Sequence, residues 1–577
     1  MNPHPGGPVA KASRHPGRPE VLRLGEMGVG VDHPHGLHKD QYSEQALMKE
    51  PTFEPTETLP RAIRDWAERE PDRPFLRQVG GGARSYGQFQ EAVLHWAAAF
   101  RLAGVRPGDN VPTMVKTSIS AEEHWLGLGW LRAVHTGVNT DFRGRMLEYV
   151  LTNCQARRLV CASEFLDRVA EVVENVSQLE LVIVPDAAPA ELPSGFPIPL
   201  VSAAELWEAS DPVSDVPAPQ RHELACISYT SGTTGPSKGV LLPWGRLWPN
   251  ESWIDMSADD VSYCPFPVFH LSGMLPLAWL GFPGGQVVLR DSFKTNCFWD
   301  DIRAYGCTVT ALIPAMMNWL LDQPSEPDEL DNPLRYVAGA PVVPRIEEFK
   351  KRFGIMMRTN FGNTEIGTPL YAGPDVTADR ESTGKWVTPG YQVRVADEND
   401  YEVPDGQIGE LLVRTDQPWR MMVGYFGMPE KTAEAWRNGW FHTGDGVVRD
   451  ESGRYHFVDR LKDSIRRRGE NISSVEVEAY VNEHPAVSET AAIAVPSEHG
   501  EDEVKICVVL HEDQTVSHAE LHDFLDGRMP TFMVPRYIEF IKEPERTEAM
   551  KRIKKPQLRV DPINAHTWDA KEIADDR

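Results

Sequence analysis

Short apolar runs alternate along this chain with amphipathic stretches, and that alternation narrows the available folds more than any other feature. Residues 158–162 (RLVCA) read as a buried strand, and 181–184 (LVIV) as the next one. Between them Phe165, Leu166, Val169, Val172, Val173 and Val176 recur at helical spacing. The strand signal returns at 286–289, 308–313 and 335–338. Strand, helix, strand in that order calls for crossovers between parallel neighbours, which are covered on both faces. The rhythm predicts an α/β fold with doubly wound sheets.

Length adds a second lobe. A single core stops growing at about 250–300 residues, and this chain has 577. Folded structure is expected from Leu59, where Leu59, Ala62, Ile63, Trp66 and Ala67 sit at helical spacing behind Pro60. The texture changes after Asp459: short helices at 475–481 and 519–525 flank strands at 490–495 and 504–510. The expected organisation is a tail over 1–55, a large N-terminal lobe over 56–459, a small mobile α+β C-terminal domain over 460–560, and a tail over 561–577. Five of the 18 histidines fall between His4 and His38. That segment reads as a metal-binding arm or, better supported by its Pro/Gly content, as a solvated extension.

Charge excludes whole classes of partner. With 59 basic and 85 acidic residues the formal charge is −26, which disfavours phosphate backbones and anionic lipid surfaces. No run reaches the roughly 18–20 apolar residues of a membrane span, and the N-terminus has no apolar signal core. Seven scattered cysteines without CxxC pairing suit reduced thiols in a cytoplasmic protein.

Residues 227–240 (ISYTSGTTGPSKGV) carry the most specific chemistry. An apolar strand runs into a loop containing three glycines, four hydroxyl residues from Thr230 to Thr234, and Lys238. Inward-turned backbone N–H groups, hydroxyls and an ammonium together suit a polyphosphate. The Walker pattern is absent: counting from Gly232, Ser237 stands where the second glycine belongs, and Gly239 follows the lysine.

Residues 229–240 resemble the phosphate loop of the adenylate-forming superfamily of acyl-CoA synthetases, peptide-synthetase adenylation domains and luciferases. That loop reads close to YTSGTTGxPKGV, with Pro236 and Ser237 transposed here. The resemblance implies ATP contacts from Thr230, Ser231, Gly232, Thr233, Thr234, Gly235 and Lys238. Further segments follow in the family's order. Ala338, Gly339, Ala340 and Pro341 (AGAP) resemble the stretch against the adenine. In 361–365 (FGNTE), Phe361 would pack near the adenine, and Gly362 and Asn363 would line the nucleotide. Thr364 would bond the α-phosphate, and Glu365 would hold Mg²⁺. Phe361 replaces the commoner tyrosine. Asp445 in 440–445 (WFHTGD) would accept both ribose hydroxyls, as an acceptor-only carboxylate can.

The resemblance continues through 459–474 (DRLKDSIRRRGENISS). Arg460 would contact ribose and phosphates, and Lys462 would be the hinge. Asp459 stands where the family usually has glycine. RRRGENIS is similar to ligases of the crotonobetaine/carnitine-CoA type. The run 466–468 is either a solvated basic face or a dock for the CoA phosphates, which makes Arg468, Gly469, Glu470 and Asn471 candidate CoA contacts. Residues 546–553 (RTEAMKRI) resemble the loop PRTxTGK, so Lys551 takes the catalytic position, with Met550 in place of glycine and Lys554 and Lys555 as rivals. His270, within 265–273 (PFPVFHLSG), matches a position beside the acyl pocket or is a satisfied core histidine. Trp244, Trp248, Trp253, Trp279, Trp299 and Trp319 either pack in the core, the commoner outcome, or converge as a cage for a quaternary ammonium.

The implied reaction is acid–thiol ligation. ATP, with Mg²⁺, activates a small carboxylic acid as acyl-AMP, pyrophosphate leaves, and coenzyme A receives the acyl group. Loading of a carrier protein or amide formation is the alternative, and an inactive nucleotide sensor is the reading from another class. Aliphatic, aryl and betaine-like acids stay open. A homodimer is neither required nor excluded.

Overall fold

A computed structural model describes residues 56–571 except 215, 231–236, 249–255, 340–344, 373–383, 385, 462, 464, 468–469, 498–501, 527 and 547–551, and except the side chains of Arg466, Glu470 and Asn471. The expected rhythm is present. A nine-stranded sheet has the parallel strands Met356–Asn363, Tyr336–Gly339, Val309–Leu312, Val261–Cys264 and Gln286–Leu289 at its centre. An eight-stranded sheet runs from Gly424–Tyr425 through Lys238–Pro243, Leu224–Thr230, Val134–Gly137 and Asn110–Met114 to Arg158–Cys161, Leu181–Val184 and Leu200–Ser202. Helices such as Tyr86–Leu102 and Ile119–Trp130 bury most of their surface between these layers, with Ser85 and Ser118 capping them through their side chains. Trp125 stacks on Trp244 at 5.6 Å inside this core.

Two local expectations need correcting. The stretch 165–176 is not one helix: a short helix Leu166–Ala170 gives way to a 3-10 turn at Val173–Asn175. The valines stay buried, but β-branching lowers their helix propensity, and burial is met without a continuous helix. The expected tail from 561 also joins the C-terminal sheet, where Trp568–Asp569 pairs with Tyr537 and Ile538. Arg536 holds Asp569 at 2.8 Å, and buried Lys505 donates to the Pro562 carbonyl at 2.8 Å and pairs with Glu539.

A four-stranded antiparallel sheet, Tyr391–Ala396, Ile408–Thr415, Phe441–Arg449 and Tyr455–Arg460, precedes the C-terminal domain. That domain has its own core. The helices Ser474–Asn482 and His518–Leu525 accompany the strands Val487–Pro496, Asp502–Leu510 and Tyr537–Phe540. All seven cysteines are free, and six are buried. Among the described residues no helix is long and apolar enough to cross a membrane. The histidine-rich segment lies outside the described residues.

Glu122 is buried in the helix Ile119–Trp130, with no partner for Oε1 among the described residues. Burial raises its carboxyl well above the ordinary 4.5. A raised folded-state pKa means stability is complete below pH 4.5 and falls as pH rises toward the folded value. The slope is about 1.4 kcal/mol per pH unit for one proton. Unfolding curves measured upward from about pH 5 are expected to show a decline toward this slope in the wild type and its loss in Glu122→Gln.

Candidate active site

The carboxyl ends of the parallel strands in both large sheets hold the predicted segments, the usual place for a ligand in α/β proteins. Leu224–Thr230 leads into the phosphate loop. Thr230 pairs in register with Lys238 on the returning strand, its hydroxyl 3.5 Å from the Lys238 carbonyl. Ser231, Gly232, Thr233, Thr234 and Gly235 lie outside the described residues. In the other sheet Tyr336–Gly339 carries Ala338 and Gly339, and Ala340 and Pro341 lie outside the described residues.

Met356–Asn363 turns back through a tight hairpin onto Gly367–Ala372. Gly362 is required by close approach: a Cβ there would collide with the Gly367 carbonyl oxygen. The Asn363 side chain accepts from the Glu365 and Ile366 amides, both at 3.1 Å, which rounds the turn. Below it the Arg246 guanidinium donates to the carbonyls of Asn363 at 3.1 Å and Thr364 at 3.2 Å. The Met422 amide donates to the Glu365 carbonyl at 2.7 Å, and the Tyr391 hydroxyl to the Ile366 carbonyl at 2.7 Å. Every backbone carbonyl from Asn363 to Ile366 is thus bound from the protein side. None of the described hydrogen bonds uses the Thr364 hydroxyl, which leaves it available to a ligand.

The two sheets meet at Glu365. The edge strand Gly424–Tyr425 pairs with Val240 and Leu241 of the phosphate-loop sheet, and the Tyr425 hydroxyl donates to Glu365 Oε1 at 3.0 Å. Lys238 Nζ lies 4.3 Å from the centre of the Tyr425 ring. A carboxylate, a hydroxyl and an ammonium therefore converge on one edge. Phe361 is half-buried, its ring 6.5 Å from that of Phe457.

Asp445 enters from the antiparallel sheet. Gly444 before it adopts φ +71°, a left-handed conformation that favours glycine. The Gly444 amide donates to Glu410 Oε1 at 2.8 Å, while Glu410 Oε2 holds His442 Nδ1 at 2.8 Å. Asp445 is 3% exposed and pairs with Arg460 Nε at 2.7 Å across the strand pair. Burial pushes its carboxyl up to about 6 against the pull of Arg460, with Glu365, Glu410 and Asp459 adding to the rise. The Asp459 carboxylate accepts the amides of Arg460 and Ser474, both at 2.7 Å, a role a glycine could not fill.

Lys462, Arg468, Gly469 and Lys551 lie outside the described residues. Glu470 and Asn471 fall on the strand Glu470–Ile472, without described side chains. Beside Lys551, Arg552 lies within electrostatic reach of Asp445 and Arg460. Of the rival lysines, Lys555 pairs with Glu478 at 2.7 Å, and Lys554 lies 3.8 Å from Glu545. Arg467 faces neither solvent nor a ligand: it is buried against Glu503 at 2.7 Å and donates to the Phe532 and Val534 carbonyls. His270 is half-buried at the start of the helix Leu271–Gly281, its ring 4.7 Å from Phe269. The described tryptophans do not converge. Trp248 sits against Phe282, Trp299 against Phe353 and Trp319 against Phe293, while Trp279 packs near Tyr371 and Ala338. Trp253 lies outside the described residues. Arg246, Tyr391, Glu410 and Tyr425 escaped the sequence reading, because each acts on a segment distant in the chain.

The AMP-binding enzyme family model matches residues 63–426, and the model of its C-terminal domain matches residues 476–551. The chain belongs to this family. That makes it an adenylate-forming ligase by class. A crotonobetaine/carnitine–CoA ligase of Citrobacter koseri is 30% identical over 485 residues, spanning 82% of this chain and 92% of the relative. The ligase of the same name from Salmonella typhimurium is 29% identical, with the same coverage. Among solved structures, ATP-bound MatB from Rhodopseudomonas palustris superposes with a TM-score of 0.77 at 25% identity, covering 87% of this chain and 98% of that one. A benzoate CoA ligase from Burkholderia xenovorans shares the fold, with a TM-score of 0.75 at 22% identity over 87% of this chain and 99% of that one. The mixed α/β lobe and smaller C-terminal domain of this AMP-binding enzyme agree with the architecture expected from its sequence.

Proposed function

We propose that this AMP-binding enzyme activates a carboxylic acid with ATP and passes the acyl group from acyl-AMP to coenzyme A. The convergence of Glu365, Tyr425 and Lys238 carries the reading, since it sets a carboxylate, a hydroxyl and an ammonium together at the end of the phosphate-type loop, with Thr364 next to Glu365 in the chain. Relatives named as CoA ligases and a similar ATP-bound structure support both substrates. The donor set suits Mg²⁺. Among the described residues no cluster of three or more ligating side chains exists, and Glu365 offers one oxygen donor group. Mg²⁺ keeps most of its waters and is bound by one or two carboxylates together with substrate phosphates. When bound there it supplies charge neutralisation at the phosphates.

In the first half-reaction a carboxylate oxygen of the acid attacks the α-phosphorus. The bond to the bridging oxygen breaks, and pyrophosphate leaves with the electron pair. The Thr364 hydroxyl donates to an α-phosphate oxygen, Lys238 and Lys551 oppose the gathering negative charge, and Asp445 holds the ribose. Ala338, Gly339, Ala340, Pro341 and Phe361 border the adenine, and His270 borders the acid. In the second half-reaction the CoA sulfur attacks the acyl carbon, its proton is released, and AMP leaves. Arg468, Gly469, Glu470 and Asn471 are the proposed CoA contacts, brought in by rotation at Lys462.

The test is pyrophosphate release with aliphatic, aryl and betaine-type acids, each with and without CoA. CoA-dependent turnover of one acid is expected. Release that CoA does not accelerate would replace the thiol acceptor with a carrier protein or an amine.

A further inference from the structure

Arg246 lies in the 3-10 turn Trp244–Leu247, directly after the strand that begins with Lys238. It is 8% exposed, yet no ion pair to a carboxylate is formed by its guanidinium among the described residues. Its hydrogen bonds go instead to two consecutive carbonyls on the other sheet, those of Asn363 and Thr364, 117 and 118 residues away. Burying a charge on neutral acceptors is costly, so packing alone is a poor reason for an arginine here. The two carbonyls lie on either side of Thr364, whose hydroxyl is the proposed α-phosphate donor, and the next residue is the metal-holding candidate Glu365.

The geometry points to Arg246 as a positioning residue for Mg·ATP. Its two-pronged guanidinium fixes the peptides on either side of Thr364, so that the Thr364 hydroxyl and the Glu365 carboxylate are presented together to the phosphates. A lysine cannot reproduce this grip, because its ammonium is a point charge without the planar fork. The assignment rests on the adenylation reading above, but it concerns how the turn is held rather than which acid is used.

Calorimetric binding of Mg·ATP and of adenosine separates the possibilities without requiring the acid. Adenosine reports the nucleoside site and the integrity of the fold; Mg·ATP adds the contacts of Thr364 and Glu365. Arg246→Met is expected to weaken Mg·ATP on the order of 10- to 100-fold, the scale of an ångström-sized misplacement, and to leave adenosine binding unchanged. If Arg246→Met does not fold, Arg246→Lys carries the test, with weakened Mg·ATP and unchanged adenosine binding expected. Arg246→Lys is expected to fall between Arg246→Met and wild type. Full recovery by Arg246→Lys would overturn the assignment in favour of charge alone. Equal loss of both ligands, or no loss of either, would overturn it as well. A wild type that binds adenosine but not Mg·ATP would instead bring down the adenylation reading, and the assignment with it.

Discussion

Lys551→Ala is expected to slow acid-dependent pyrophosphate release by about 10²–10³-fold, the scale of one lost donor to a developing charge, while supplied acyl-adenylate is still converted to thioester. The reason is electrostatic. A carboxylate approaching a polyphosphate meets like charge, and a cation aimed at the gathering negative charge lowers the barrier of that step alone. In the chain flanking Lys551, Arg546 and Ile553 form an antiparallel bridge, and Arg552 is within electrostatic reach of Asp445. Lys555 is already committed to Glu478 and to the Ser474 hydroxyl, inside the C-terminal domain. Rates of the two half-reactions, measured separately, decide the matter, and equal loss in both would remove Lys551 from the adenylation step.

Asp445→Asn is expected to weaken nucleotide binding about 10- to 150-fold, the equivalent of one charged hydrogen bond worth roughly 1.5–3 kcal/mol. It should also flatten the pH dependence of that binding. Asp445 titrates near 6 in the fold, against an ordinary 3.8. Wild-type affinity therefore falls as pH drops through about 6, when the carboxylate gains a proton and ceases to be an acceptor-only group. The stability linkage of the same residue runs the other way. Because its folded-state pKa is raised, its contribution to stability is complete below 3.8 and is lost as pH rises through about 6. Binding and stability thus respond to this carboxyl with opposite signs, so a fall in affinity at acid pH cannot be ascribed to this group loosening the fold. Titration of adenosine, which carries no phosphate to protonate, between about pH 5 and 8, with unfolding curves at the same pH values, checks both. A pH-independent wild-type affinity would sink the ribose assignment.

Much of this was legible in the sequence wherever neighbouring residues decide the outcome. The strands expected at 181–184 and 286–289 are Leu181–Val184 and Gln286–Leu289, because continuous apolar runs between turns have few other ways to be buried. The helix at Leu59 forms behind Pro60 as its spacing demands. Local reading failed where burial could be met in more than one way, as in the valine-rich stretch broken into Leu166–Ala170 and Val173–Asn175. It also failed for Arg467, where a basic run suggested a surface and tertiary packing supplied Glu503 and two carbonyls as partners.

The sequence by itself determined the alternation that builds the two large sheets, the glycine- and hydroxyl-rich loop beginning at Thr230, and the turn and carboxylate types at 361–365 and 445. These depend on side-chain identity at short spacing. Only the tertiary structure decided that Arg246 grips the Asn363 and Thr364 carbonyls, and that Tyr425 reaches Glu365 across 60 residues of chain. A carbonyl is present at every residue and carries no signature in the sequence. Which carbonyl an arginine finds is settled only when two sheets pack edge to edge.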